Sequence, residues 1–115
     1  MTVRFQKPKK VSIIIVSLNT KNFFLNTVNS VLAQSYKEKE IIVVDGNSTD
    51  GTINIIKKIK KKFSKVIIEK DRGIYDAMNK GSHLVSGKWV IFLNSGDVFY
   101  NKNTLSDIFE QSITK

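Results

Sequence analysis

The residues best suited to chemistry lie in two short turns. Asn94-Ser95-Gly96-Asp97 follows the apolar run Trp89-Val90-Ile91-Phe92-Leu93, and Asp45-Gly46-Asn47-Ser48-Thr49-Asp50-Gly51 follows the segment Glu40 to Val44. Both preceding segments read as buried strands. Each turn therefore holds an acid at a strand's carboxyl end, where α/β sheets place their ligands. Hard divalent cations take oxygen ligands, and Mg²⁺ is usually held by one or two carboxylates together with substrate phosphates. Asp97 is the best metal-ligating candidate, and two acidic turns at one sheet edge suggest a site for a metal-bound diphosphate. Taken alone, Asp97 reads equally well as the cap of the turn before Phe99. Asp45 can accept hydrogen bonds from a ligand or tie down its own loop, and Asp50 reads as a helix cap.

A third polar segment, Asp71 to Gly81 (DRGIYDAMNKG), precedes and enters an otherwise apolar helix. Arg72 and Lys80 can neutralise phosphate, Asn79 can hold a base edge or a loop carbonyl, and Tyr75 can stack on a flat ring. Salt bridging on a solvated face is the favoured reading of Lys80, and packing that of Tyr75.

The elements that must hold these turns are legible from periodicity. Val11 to Ser17 is β-branched and almost wholly apolar, the pattern of a strand covered on both faces. Asn19 and Thr20 are helix-starting types, and Phe24, Leu25, Val28, Val31 and Leu32 recur at helical spacing to about Gln34. Ile41 to Val44 is a second strand. Ser48, Thr49 or Asp50 can cap a second helix whose apolar stripe is Ile53, Ile55, Ile56, Ile59 and Phe63. Val66 to Glu69 is a third strand, Ile74 to Leu84 a third helix, Lys88 to Leu93 a fourth strand, and Thr104 to about Ser112 a last helix capped by Asn103. Alternation of this kind predicts a mostly parallel sheet flanked by helices on both faces, with the first strand central. Ser17 to Asn19, Asp45 to Asp50, Asp71 to Gly73 and Asn94 to Asp97 should then line one crevice.

Composition narrows the classes. The 115 residues suffice for one domain with a real core, and residues 1–10 read as a basic arm preceding a domain over 11–115. Without cysteine there is no disulfide framework and no thiolate nucleophile, which makes the cytosol the default compartment. Met1 to Lys10 lacks the apolar segment of a secretory signal, and no apolar run approaches the ~20 residues of a membrane span. A GxGxxG after the first strand and a GxxxxGK[ST] loop are both missing, and His83 is the single histidine. Dinucleotide folds, P-loop phosphoryl transfer, zinc sites and Ser-His-Asp triads are disfavoured accordingly. The net charge is +9. Lys57, Lys58, Lys60, Lys61 and Lys62 read first as a solvated helix face. With Arg4, Lys7, Lys9 and Lys10 they can also meet an anionic membrane surface. Nucleic acid is the weaker partner, because the run lacks interleaved aromatics.

With these residues in view, the chain from about Val11 to Phe99 resembles the amino-terminal part of a family 2 glycosyltransferase with a GT-A fold. VSIIIVSLN is similar to the family's opening strand, VVDGNSTDGT to its VDDGSTDGT turn, and FLNSGDVF to its FLDSDD-type DxD motif. DRGIYDAMNKG is similar to members that build bacterial surface polysaccharides. The resemblance implies transfer of a sugar from a nucleoside diphosphate sugar, a UDP-sugar above all, to a hydroxyl of a saccharide or lipid-linked acceptor; the missing cysteines and the basic clusters add the expectation of a cytoplasmic protein peripheral to the inner membrane face. The resemblance also implies that Asp45 meets the base, that Ser17 and Asn19 touch the nucleotide, and that Asp97 binds Mn²⁺ or Mg²⁺; Arg72 and Asn79 join the candidate nucleotide contacts on their residue types alone. Asn94 and Gly96 stand where the motif often has acids. The acceptor-binding half and the catalytic base would lie beyond this chain. The alternative reading is a non-catalytic nucleotide-sugar or partner-binding module.

Overall fold

A computed structural model of the chain describes residues 10–110, so the basic arm predicted at 1–10 lies outside the described residues apart from Lys10. Four strands form one parallel sheet: β1 (Val11–Ser17), β2 (Lys39–Asp45), β3 (Lys65–Ile68) and β4 (Trp89–Asn94), in the spatial order β3-β2-β1-β4. The crossovers carry helices α1 (Lys21–Leu32), α2 (Thr52–Lys58) and α3 (Ile74–Ser82), and α4 (Thr104–Phe109) follows β4. Parallel pairing requires such crossovers, and their helices explain why β1 and β2 are apolar on both sides.

The faces divide by parity, as strand geometry demands. Ile13, Ile15, Ile41 and Val43 pack with Phe24, Val28 and Val31 of α1, Ile56 of α2, and Leu105 and Phe109 of α4. Ile14, Val16, Ile42 and Val44 face the other way and pack with Ala77 of α3. Gly81 permits this approach, because a Cβ there would lie 2.6 Å from Ile14 Cγ2. Helices thus lie on both faces and β1 is an inner strand, as the sequence pattern predicts.

Two expectations need correction. On α1 the buried stripe is Phe24, Thr27, Val28 and Val31, whereas Leu25 and Leu32 are exposed. Positions 24, 27, 28 and 31 complete the i, i+3, i+4, i+7 pattern, and the two leucines sit one position off it. The fourth strand, expected to be buried, lies at a sheet edge. Its Ile91 and Leu93 join the α1 face. Val90 and Phe92 share the α3 face beside Ser12 and Ile14, yet remain 38% and 40% exposed. The side chains that α3 buries belong to β1 and β2, which leaves this part of the sheet uncovered.

Candidate functional site

Because all four strands run the same way, their carboxyl ends meet at one edge and bring the predicted turns together. Hydrogen bonds cross-link these turns. The Asn19 amide donates to Ser48 Oγ at 2.9 Å, and the Thr49 amide donates to Asn19 Oδ1 at 2.7 Å. Thr20 Oγ1 lies 3.1 Å from Ser17 Oγ and donates to Ser95 Oγ at 2.7 Å. Gly96 donates its amide to Thr27 Oγ1 of α1 at 2.7 Å. Polar residues of α1 and its entry loop therefore staple the β1, β2 and β4 turns into one frame.

The edge encloses a cavity of about 220 Å³ lined by Val16, Ser17, Leu18, Thr20, Asp71, Gly73, Ile74, Ala77, Asn94 and Ser95. Its floor is apolar (Val16, Ile74, Ala77) and its wall carries hydroxyls, one amide and one carboxylate. That combination is typical of small-ligand sites, where a few polar groups orient a ligand against an apolar surface.

The expected site residues occupy distinct places. Ser17 is buried and lines the cavity. Asn19 is exposed at φ +53°, a left-handed conformation that Asn tolerates, and its side chain holds the β2 turn. Asp45 is fully buried, and Ser48 occupies both of its oxygens: the amide donates to Oδ2 at 2.8 Å and the hydroxyl to Oδ1 at 2.7 Å. Of the two readings open for Asp45, tying down its own loop is thus directly visible. Arg72 is exposed on the loop before α3 and donates its amide to Asp76 Oδ2 at 2.9 Å. That bond, with help from Lys80, lowers the Asp76 pKa. Asn79 is exposed on α3 and is not among the residues that line the cavity, although Ile74 and Ala77 of the same helix are. Lys80 bridges Glu69 at 3.1 Å and Asp76 at 3.4 Å, the salt-bridging role favoured for it from sequence. Asp50 accepts the Thr52 amide at 3.0 Å and the Lys21 amide at 2.9 Å, which ties the β2 turn to the starts of α2 and α1, but the N-cap of α2 is Gly51 at φ +104° rather than Ser48, Thr49 or Asp50.

Asp97 is exposed, and its Oδ2 accepts the Asn94 amide at 3.2 Å. No group of three His, Cys, Asp or Glu side chains gathers as a metal cluster among the described residues. Oxygen donors at this turn nonetheless fit a Mg²⁺ or Mn²⁺ ion that takes one or two protein carboxylates and completes its shell with phosphate.

Asp71 and Ser95 line the cavity as expected of their turns, though the sequence singles out neither, and Thr20, read from sequence as a helix-starting residue, lines it too. Asp71 carries the same signal as Asp45 and Asp97, an acid just past a strand, within a segment where Arg72, Asp76 and Lys80 are equally charged.

The chain matches Glycosyl transferase family 2 over residues 12–112. It is 35% identical over 100 residues to a PGL/p-HBAD biosynthesis glycosyltransferase of Mycobacterium tuberculosis, which covers 84% of this chain and 39% of the relative. The UDP-Glc:alpha-D-GlcNAc-diphosphoundecaprenol beta-1,3-glucosyltransferase WfaP of Escherichia coli is 42% identical over 90 residues, 76% of this chain and 35% of that protein. Among solved structures, S. aureus TarS 1-349 in complex with UDP-GlcNAc superimposes with a TM-score of 0.76 at 30% identity, over 86% of this chain and 30% of the TarS 1-349 chain. This chain belongs to glycosyl transferase family 2, and its parallel sheet with flanking helices is the GT-A fold. It spans between a third and two fifths of the length of these curated relatives.

Proposed function

We propose that this chain is the donor-binding part of a glycosyltransferase that moves a sugar from a nucleoside diphosphate sugar, a UDP-sugar first, to an acceptor hydroxyl in surface polysaccharide or glycolipid synthesis. The observation that carries this reading is the cavity at the strand ends, framed by the motif-bearing turns. The UDP-GlcNAc bound to TarS and the diphosphoundecaprenol acceptor in the name of WfaP support the donor class and a lipid-linked acceptor.

Transfer breaks the bond between the sugar's anomeric carbon and the diphosphate. Charge develops on the diphosphate, and the site must stabilise it. A divalent ion supplies Lewis-acid stabilisation there when bound. Asp97 would hold that ion, and the exposed Arg72 would add positive charge. Ser17, Thr20, Asn94 and Ser95 line the wall that orients the donor. The acceptor hydroxyl needs a base, and we assign that role to no described residue.

We place the protein at the cytoplasmic face of the inner membrane. Lys57, Lys58 and the 3₁₀ turn Lys60–Lys62 support contact with anionic lipid. They close the crossover that enters β3, so they lie at the sheet edge opposite the cavity. Among the described residues no helix is long and apolar enough to cross a membrane.

Calorimetry with UDP, GDP, CDP and ADP, each with Mn²⁺ and with chelator, tests the donor reading. Metal-enhanced binding of UDP is the expected result, and equal indifference to all four would overturn it. Donor hydrolysis separates an enzyme from a binding module, since a pure binder holds UDP-sugar without turnover.

A further inference from the structure

We propose that Asp71 is a donor-recognition residue of this cavity. Its carboxylate accepts hydrogen bonds from the vicinal hydroxyls of a sugar ring, and Gly46 is the residue that makes room for it. The inference rests on the donor-binding reading above.

The geometry is specific. Asp71 Oδ1 accepts the Gly73 amide at 3.0 Å, which fixes the side chain against its own loop. Gly73 holds this turn at φ +120° and ψ −177°, a conformation nearly confined to glycine. Oδ2 takes no hydrogen bond and Asp71 no ion pair among the described residues, although the side chain is only part exposed and lines the cavity. The wall hydroxyls are committed, since Thr20 hydrogen-bonds with both Ser17 and Ser95, and the remaining polar wall group, the Asn94 amide, carries no charge. Asp71 Oδ2 is thus the unspent anionic acceptor of the wall.

Gly46 supplies the second observation. A Cβ at position 46 would lie 2.7 Å from Asp71 Oδ2, closer than such atoms approach. In the resembled turn VDDGSTDGT, aligned on TDGT, this position carries the second acid. Here the side chain is missing from the β2 turn, and the Asp71 carboxylate reaches in from the β3 loop to occupy its space.

A carboxylate can only accept hydrogen bonds, so its partners must be donors. Each carboxylate oxygen has two acceptor positions, so Oδ2 can accept from two adjacent hydroxyls, and the apolar floor of Val16, Ile74 and Ala77 suits the C–H face of a sugar ring. Both the ribose and the transferred sugar present such hydroxyls.

The test is calorimetry in chelator, so that metal plays no part, with UDP, 2′,3′-dideoxy-UDP and UDP-GlcNAc as probes. The proteins are the parent, Asp71→Ala, Gly46→Ala and the double variant, with thermal melts as the check on folding. Asp71→Ala should weaken binding roughly tenfold to a hundredfold, the range for hydrogen bonds to a charged group. If the ribose is the partner, UDP shows this loss while dideoxy-UDP binds parent and variant alike. If the transferred sugar is the partner, UDP-GlcNAc alone shows it. Gly46→Ala keeps the acid but displaces it. It should reproduce the loss, and the double variant should be no worse than Asp71→Ala. Unchanged affinity for both UDP and UDP-GlcNAc in folded Asp71→Ala overturns the proposal, as does an equal loss for dideoxy-UDP. Should Asp71→Ala not fold, the same outcomes are read from Gly46→Ala. A folded parent that binds none of the probes, with or without Mn²⁺, overturns the donor-binding reading as well.

Discussion

Asp45 and Asp97 close the two strands that flank β1, and their surroundings differ in every respect that governs a carboxylate. Asp45 has no exposed surface, and both oxygens are held by the amide and hydroxyl of Ser48. Asp97 is exposed and gives one oxygen to the Asn94 amide over a longer 3.2 Å. The β2 turn spends its acid on its own shape, whereas the β4 turn leaves its acid open. A buried acid with two donors fixes a loop; an open one keeps ligation capacity for a cation. The similar sequence signatures conceal two different divisions of labour.

Removing Asp45 should have the largest effect. Asp45→Ala strands the Ser48 amide and hydroxyl in a buried turn, at a cost of about 3 kcal/mol. Urea denaturation measures this. A variant as stable as the parent would break the contrast between the turns. Nucleotide affinity should fall too, because Ser48 also receives the Asn19 amide and so holds the β1 loop.

A second buried acid shows the same economy at the far edge of the sheet. Glu40 accepts Ser12 Oγ at 2.6 Å and the Ser86 amide at 2.7 Å, with Lys10 Nζ at 3.8 Å. Burial pushes its pKa up, but these donors and the lysine outweigh burial and hold it at about 2. The folded value thus lies below the unfolded value of ~4.3. Glu40 therefore contributes stability above that unfolded value, and the contribution is lost as pH falls through about 2. The loss should reach on the order of 2–3 kcal/mol. Stability measured from pH 5 to pH 2 should decline less steeply in Glu40→Gln, and parallel curves would remove Glu40 from this account.

The two sides of β1 sharpen the contrast between sealed and open. Ile14 is fully buried, while Val90 on the same face of β4 is 38% exposed. Ile14→Val should cost about 1 kcal/mol and Val90→Thr under ~0.5 kcal/mol. Equal costs in denaturant melts would show that Val90 is as well covered as Ile14.

Much of this was readable from residue types. The strand pattern of Val11 to Ser17 follows from burial on both faces, and the four turns follow from strand direction alone. Burial at the edge was not readable, because Trp89 to Leu93 is as apolar as an inner strand and only the sheet order distinguishes them. The state of each acid was equally hidden. Whether Asp45 is sealed depends on Ser48 three residues on, and whether Asp71 reaches the cavity depends on the missing Cβ of Gly46. Such contacts join side chains across turns, and hydrophobic periodicity carries no record of them.

Asp97→Asn should have the smallest effect on stability, within about 0.5 kcal/mol, because the residue is exposed and the exchange nearly isosteric. The amide oxygen of Asn can still accept the Asn94 amide, so the turn should keep its form. Its effect on ligation should be far larger. An amide oxygen is a poorer ligand for a hard divalent ion than a carboxylate, and neither Asn94 nor Gly96 offers a substitute acid. UDP titrated into parent and variant, each with Mn²⁺ and with chelator, gives four affinities. Metal enhancement in the parent alone, with equal affinities in chelator, is the expected pattern. Equal enhancement in both would move the ion away from Asp97. Asp71 would then be the next candidate, because it is the one carboxylate among the residues that line the cavity.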